Sequence, residues 1–231
     1  NSLVKGINLE GLRVLGSPID FAKYYFLNNA DEIIYQDVVA SLYSRDNFLH
    51  LIQDTAKEIF IPLTVGGGIR SLKDIYQILR AGADKVSINT AAINKPQFLY
   101  EAIHKYGAST IVSSIELVRS NGKYFAYTDN GRNNSNIEAI EWIKQINKIK
   151  PGEIILTFVN SEGTGDGLDL NFLKKILNIT NIPIIVHGGL GNKNQILEII
   201  KNYNINGIAI ASMFHYHVYN KFDSKKILEG N

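Results

Sequence analysis

Glu116 sits near the end of the expected strand Thr110–Leu117, among apolar neighbours, and a carboxylate so placed is a candidate for proton transfer. Desolvation disfavours its ionised form and lifts its pKa toward neutrality, where acids and bases work best at physiological pH. The plain alternative is a rim carboxylate paired with a lysine. Asp37, ending the run Glu32–Asp37, is a second carboxylate candidate. Glycines offer a different chemistry. Val65-Gly66-Gly67-Gly68-Ile69 leaves a strand and enters a helix, so Gly67 and Gly68 let backbone N–H groups approach an anion. Val186-His187-Gly188-Gly189 repeats the arrangement. One Gly-Gly alone is equally a tight strand-to-helix turn. Two matched copies read as phosphate cups, and two cups call for a substrate with two phosphates. Asn89-Thr90 and Ala211-Ser212, at the ends of the strands that follow, supply hydroxyl and amide donors to complete each cup.

A third group is charged and sits at strand beginnings. Glu32, Lys85 and Glu153 open their strands, where inward side chains would meet in one layer. Buried charges need partners, so the three are expected to form a Glu–Lys–Glu ring. Such a ring is either a structural plug or a gate for something small and polar.

These residues fall into place because the chain is duplicated. Glu32-Ile33-Ile34 recurs as Glu153-Ile154-Ile155, and Ile61-Pro62, Val65 and Gly67-Gly68 recur as Ile182-Pro183, Val186 and Gly188-Gly189, all at an offset of 121. Strands are expected at Glu32–Asp37, Pro62–Val65, Lys85–Asn89, Thr110–Leu117, Glu153–Val159, Pro183–His187 and Gly207–Ala211. Amphipathic helices are expected at Ser71–Ala81, Lys95–Tyr106, Ile137–Ile149 and Asn192–Lys201, with Ser71 and Asp74 set to cap the first of them. Alternation of strand and helix predicts a parallel sheet, here a (β/α)8 TIM barrel made of two half-barrel repeats. Only seven barrel strands are visible. Carried back by the repeat, the eighth falls upstream of Asn1, so the first strand is expected to be missing from this chain; a seven-stranded barrel is the alternative.

The 231 residues and 45% apolar content suit one domain over the whole chain. A net charge of +2, with tyrosines scattered rather than interleaved with Lys and Arg, argues against nucleic acid. The absence of cysteine removes thiol catalysis and disulfides. No apolar run reaches membrane-spanning length and no signal sequence is visible, so a cytoplasmic protein is expected. His215-Tyr216-His217 has no suitably spaced third ligand, and neither metal nor cofactor is expected. Asp129–Asn134 reads as a loop or hairpin turn after the strand of Glu116.

The segment from Val65 to Ile69, Ala83-Asp84-Lys85-Val86-Ser87-Ile88-Asn89-Thr90-Ala91-Ala92, Gly152–Thr157, Glu162-Gly163-Thr164 and Ser212-Met213-Phe214-His215 resemble the cyclase subunit of imidazole glycerol phosphate synthase. The resemblance runs from about Leu3 to His215, and the run Asp84–Ala92 separates it from the sister isomerase barrel. It implies a barrel that takes ammonia from a glutaminase subunit on its N-terminal face. That ammonia reacts with a bis-phosphorylated ribonucleotide to give imidazole glycerol phosphate and aminoimidazole carboxamide ribonucleotide. By the resemblance Lys5, Asp37, Asn89 and Thr157 fall on active-site positions, and Gly68, Gly163, Gly188, Gly189 and Ser212 on phosphate-site positions. Glu32, Lys85 and Glu153 match three members of an ammonia gate whose Arg would lie upstream of Asn1.

Two residues depart from that pattern. Glu116 replaces a catalytic aspartate of the family, and His187 stands beside the phosphate glycines where a small residue is usual. A partly protonated His187 would help hold an anion; a core histidine bonded to backbone is the alternative. The departures keep open a second function, an ammonia-delivering barrel in a glutaminase-coupled glycan amidation system without cyclase activity.

Overall fold

The computed structural model describes residues 2–38 and 45–228. The chain begins with a hairpin, β1 (Leu3–Ile7) and β2 (Glu10–Gly16), which forms its own two-stranded sheet. Barrel strands and helices then alternate: α1 (Pro18–Leu27), β3 (Ile33–Gln36), α2 (Arg45–Glu58), β4 (Leu63–Gly66), α3 (Leu72–Arg80) and β5 (Lys85–Ile88). Next come α4 (Thr90–Asn94), α5 (Pro96–Tyr106), β6 (Ile111–Ser120), β7 (Lys123–Thr128), β8 (Asn133–Glu138), α6 (Ala139–Ile149) and β9 (Glu153–Phe158). The chain closes with α7 (Leu170–Leu177), β10 (Ile184–His187), α8 (Lys193–Asn202), β11 (Gly207–Ala209) and α9 (Ser212–Leu228). Parallel pairing runs β3-β4-β5-β6-β9-β10-β11, and β7 and β8 extend β6 as an antiparallel flap. The architecture is a (β/α)8 barrel, with these seven parallel strands among the described residues.

Alternation along each strand separates two environments. Ile33, Leu63, Val65, Val86, Ile88, Ile115, Ile154, Leu156 and Val186 point outward and join Ile75, Ile78, Leu99, Trp142 and Ile143 of the helices in one apolar core. Burying each such side chain stabilises the fold by about 1.5–3 kcal/mol. The opposite faces line the barrel interior and are largely polar or small. Parallel registers stack Thr64 beside Lys85, Gly66 beside Ser87, Ser114 beside Ile155, and Glu116 beside Thr157 beside His187.

The duplication extends to helix starts. Ser71 accepts from Asp74 N at 3.2 Å while Asp74 accepts from Ser71 N at 2.9 Å, closing a capping box on α3. Asn192 and Gln195, 121 positions on, close the same box on α8 with different residues. Hydrogen-bonding geometry rather than residue identity is what the repeat keeps.

Two elements go beyond the seven expected strands. The β1–β2 hairpin turns through Asn8 and Leu9, both at positive φ (51° and 63°), without the glycine that such a turn favours. Glu162 holds it: its carbonyl accepts from Asn8 N at 2.8 Å and its carboxylate from Leu9 N at 3.3 Å. The β7–β8 flap takes in Ile137 and Glu138, so α6 starts two residues later than the periodicity predicts. Its turn confirms the hairpin expected at Asp129–Asn134.

Candidate active site

All barrel strands run parallel, so both glycine turns, after β4 and after β10, open on the face where the strands end. Glu116 lies at that end of β6, only 5% exposed. The β7–β8 turn folds over it. Gly131 N donates to Glu116 Oε2 at 2.7 Å, Asp129 N donates to Thr90 Oγ1 at 3.2 Å, and Asn130 Nδ2 reaches the carbonyl of Val38 at 3.1 Å. Asn89 Nδ2 donates to the carbonyl of Tyr127 at 3.0 Å, and its buried Oδ1 has no partner among the described residues. Burial pushes the Glu116 carboxyl up to about 7, with the negative charge of Asp129 adding to it, against the opposing hydrogen bonds from Gly131 and Asn89. A carboxyl so placed exchanges a proton near neutral pH. No lysine pairs with it among the described residues, unlike the plain alternative raised from the sequence.

The second glycine turn faces a small cavity lined by Glu162, Gly163, His187, Gly188, Gly189 and Ser212, with Leu190, Ala209 and Ala211. Gly188 and Gly189 have φ of 97° and 86°, and a Cβ on Gly188 would stand 2.7 Å from the carbonyl oxygen of Phe158. Ser212 begins α9, and its buried Oγ has no hydrogen-bond partner among the described residues. Beside the cavity Lys5, 6% exposed, forms an ion pair with Glu162, 1% exposed, and also donates to the carbonyl of Gly6 at 2.9 Å. Gly163 is required there, because a Cβ would lie 2.8 Å from the oxygen of Gly6.

His187 is partly buried and bonds through Nδ1 to Thr157 Oγ1 at 3.2 Å. Its partner is therefore a side chain, not the backbone of the core-histidine alternative. Desolvation holds its pKa below the ordinary histidine value, and Lys5 acts in the same direction against Glu162. Burial therefore works against the partly protonated ring raised from the sequence.

The first glycine turn is built more tightly. Asp37, half-buried, donates its N–H to the carbonyl of Gly66 at 2.9 Å, and a Cβ on Gly67 would strike Asp37 O at 2.2 Å. Gly67 and Gly68 both take positive φ, 98° and 63°, next to this strand end. Thr90, at the start of α4, lies under the β7–β8 turn.

At the opposite end of the interior, Lys85 Nζ donates to Glu32 Oε2 and Glu153 Oε1, both at 2.8 Å. The buried Thr64 donates its hydroxyl to Glu32 Oε1 at 2.5 Å. Partial burial works against the charge on Lys85, but the two carboxylates outweigh it and hold its pKa above the ordinary lysine value. The three charges expected to meet at the strand beginnings do so.

Sequence reasoning thus located Glu116, Asp37, Asn89, Thr90 and Thr157 at one end, and Glu32, Lys85 and Glu153 at the other. It quoted Glu162 within a motif but gave it no role. Its near-complete burial beside Lys5, 157 positions away, has no local signal. Of the His215-Tyr216-His217 pair, His215 Nδ1 bonds to Tyr25 Oη at 2.6 Å, and desolvation lowers its pKa to about 4. His217 is exposed.

A family model described as histidine biosynthesis protein matches residues 1–220. The chain belongs to that family. Within the family it is similar to the imidazole glycerol phosphate synthase subunit HisF of Legionella pneumophila, 46% identical over 195 residues, 84% of this chain and 92% of the relative. The HisF subunits of an Exiguobacterium species and of Lactococcus lactis are 40% and 41% identical, over 92% and 93% of this chain and 83% of each relative. Membership among these cyclase subunits, lyases of histidine biosynthesis, agrees with the resemblance carried by the sequence motifs.

Proposed function

We propose that the protein is the cyclase subunit of imidazole glycerol phosphate synthase. It takes ammonia from a glutaminase docked on the N-terminal face and converts phosphoribulosyl-formimino-aminoimidazole carboxamide ribonucleotide to imidazole glycerol phosphate and aminoimidazole carboxamide ribonucleotide. The observation that carries this is the axial arrangement: a Glu32–Lys85–Glu153 ring at the strand beginnings, small and polar interior residues such as Gly66, Ser87 and Ser114, and Glu116 at the strand ends. Ammonia entering at the ring would travel toward Glu116. One phosphate would sit at Gly67, Gly68 and Thr90, the other at Gly163, Gly188, Gly189 and Ser212. Strands β4 and β10 lie far apart in the pairing order, so the two ends of an extended substrate would span the mouth and lay its reacting centre over Glu116, Asn89 and Thr157. Glu116 exchanges the proton of the attacking nitrogen or leaving group, Asp37 supplies a second carboxylate at the mouth, and Lys5, held by Glu162, borders the second phosphate cup. Holding both ends of the substrate converts ammonia addition into a positioned, near-unimolecular step.

The decisive experiment supplies ammonium and the bis-phosphorylated ribonucleotide to the purified protein and follows imidazole glycerol phosphate. Turnover that disappears in Glu116→Gln is the expected result; binding of the ribonucleotide without any product overturns the cyclase assignment. The glycan-amidation alternative gains no support from the three relatives.

A further inference from the structure

We infer that His187 is a ligand-contacting residue of the second phosphate cup, donating from Nε2 to a phosphoryl oxygen, and that Thr157 is the positioning residue that fixes the donating tautomer. This rests on the phosphate-cup assignment above and deepens it. One difference between the two halves of the barrel falls directly beside the glycine turns. Counting back 121 positions, His187 corresponds to Gly66 and Thr157 to Gln36. In the first half the longer Gln36 occupies the space: a Cβ on Gly66 would stand 2.2 Å from Gln36 Oε1 and 2.9 Å from Ser87 Oγ. In the second half the shorter threonine leaves room for a ring. A paired exchange, Gln–Gly for Thr–His, therefore puts an imidazole beside only one of the two Gly-Gly turns.

The geometry fixes which nitrogen is free. Nδ1 faces β9 through Thr157 Oγ1 at 3.2 Å, so Nε2 lies on the far side of the ring, toward the cavity shared with Gly188, Gly189 and Ser212. Nε2 has no hydrogen-bond partner among the described residues, and neither does the buried Ser212 Oγ of the same cavity. The charged and titratable groups facing the ring are Lys5 of β1, Glu162 of the loop after β9 and His215 of α9. Lys5 and Glu162 are paired with each other, so the local charge is balanced before an anion arrives. Thr157 Oγ1 has no other acceptor among the described residues, and giving its proton to Nδ1 leaves the ring proton on Nε2. Only that tautomer bonds an anion in the cavity without taking up a proton.

The test uses the full chain, 15N-labelled at histidine, titrated with inorganic phosphate. Long-range 1H–15N spectra are expected to show His187 as the Nε2–H tautomer, with its Nε2 signal moving saturably on phosphate binding. His187→Ala should weaken the phosphate binding at this cavity by about tenfold or more, as for a lost hydrogen bond to a charged group, and His187→Gln should restore most of it. Thr157→Val should mix the two tautomers. Phosphate binding that leaves the His187 signals unmoved and survives His187→Ala unchanged overturns the inference while leaving the cup intact. Absence of any saturable phosphate binding to the wild-type chain overturns the cup itself, and the inference with it.

Discussion

Replacing Glu116 by glutamine should make the protein's stability less dependent on pH. The carboxyl is held at about 7 in the folded chain by burial, against an ordinary value of 4.5. Between those values the folded state binds a proton that the unfolded state has released, so stability falls as pH rises from the lower toward the upper value and levels off above it. The full difference corresponds to about 3 kcal/mol, of which about 2.5 kcal/mol is lost between about pH 5 and about pH 8. Glutamine keeps the shape and can still accept from Gly131 N, but has nothing to ionise. Urea melts of wild type and Glu116→Gln at the two pH values give the comparison directly: over that interval the wild type should lose about 2 kcal/mol or more in excess of what Glu116→Gln loses. The same ionisation should appear as an inflection near neutrality in kcat/KM of the wild type. Equal pH dependence of stability in the two proteins would refute the idea that apolar burial, rather than a partner charge, sets this carboxyl.

Other substitutions probe the supporting structure. Lys5→Met strands the buried Glu162 carboxylate and should destabilise the chain by about 3 kcal/mol in a urea melt, with faster proteolysis of the β1–β2 hairpin that Glu162 holds. Lys85→Met leaves Glu32 and Glu153 facing each other without a cation; a loss of about 1–3 kcal/mol at neutral pH should shrink in acid as the carboxylates take up protons. Gly188→Ala drives a methyl against the oxygen of Phe158 at 2.7 Å and a φ of 97°, so a loss of about 2 kcal/mol or more is expected, together with weakened phosphate binding. Ser71→Ala removes half of a capping box and should lower stability by about 1 kcal/mol in thermal melts.

The duplication at constant offset was legible because it is a pattern of residue types that needs no tertiary knowledge. Glu-Ile-Ile at two strand beginnings and Gly-Gly at two strand ends fixed the alternation, the parallel sheet and the face on which the glycine turns open. The meeting of Glu32, Lys85 and Glu153 followed from their equivalent positions along strands, since parallel register carries equivalent positions to one layer. The strands β1, β2 and β8 were not legible, for a physical reason. Leu3–Gly16 is mostly exposed and Asn133–Glu138 is polar, so neither shows the alternation that burial imposes on a strand. Strand β7, Lys123–Thr128, was also unexpected, although its aromatic residues follow an Asn121-Gly122 turn signal.

What folding alone decided was proximity between residues with no local relation. Lys5 finds Glu162 across 157 positions, and Gly131 caps Glu116 only because β6 outruns its neighbours and turns back over the mouth. Burial, which raises the pKa of the Glu116 carboxyl and lowers that of His187, is a property of the closed shape and of no single stretch of chain. Residue types therefore determined the kind of chemistry and the end of the barrel that holds it. The packed structure determined which groups are ionised there, because a charge's free energy depends on how much water is left around it.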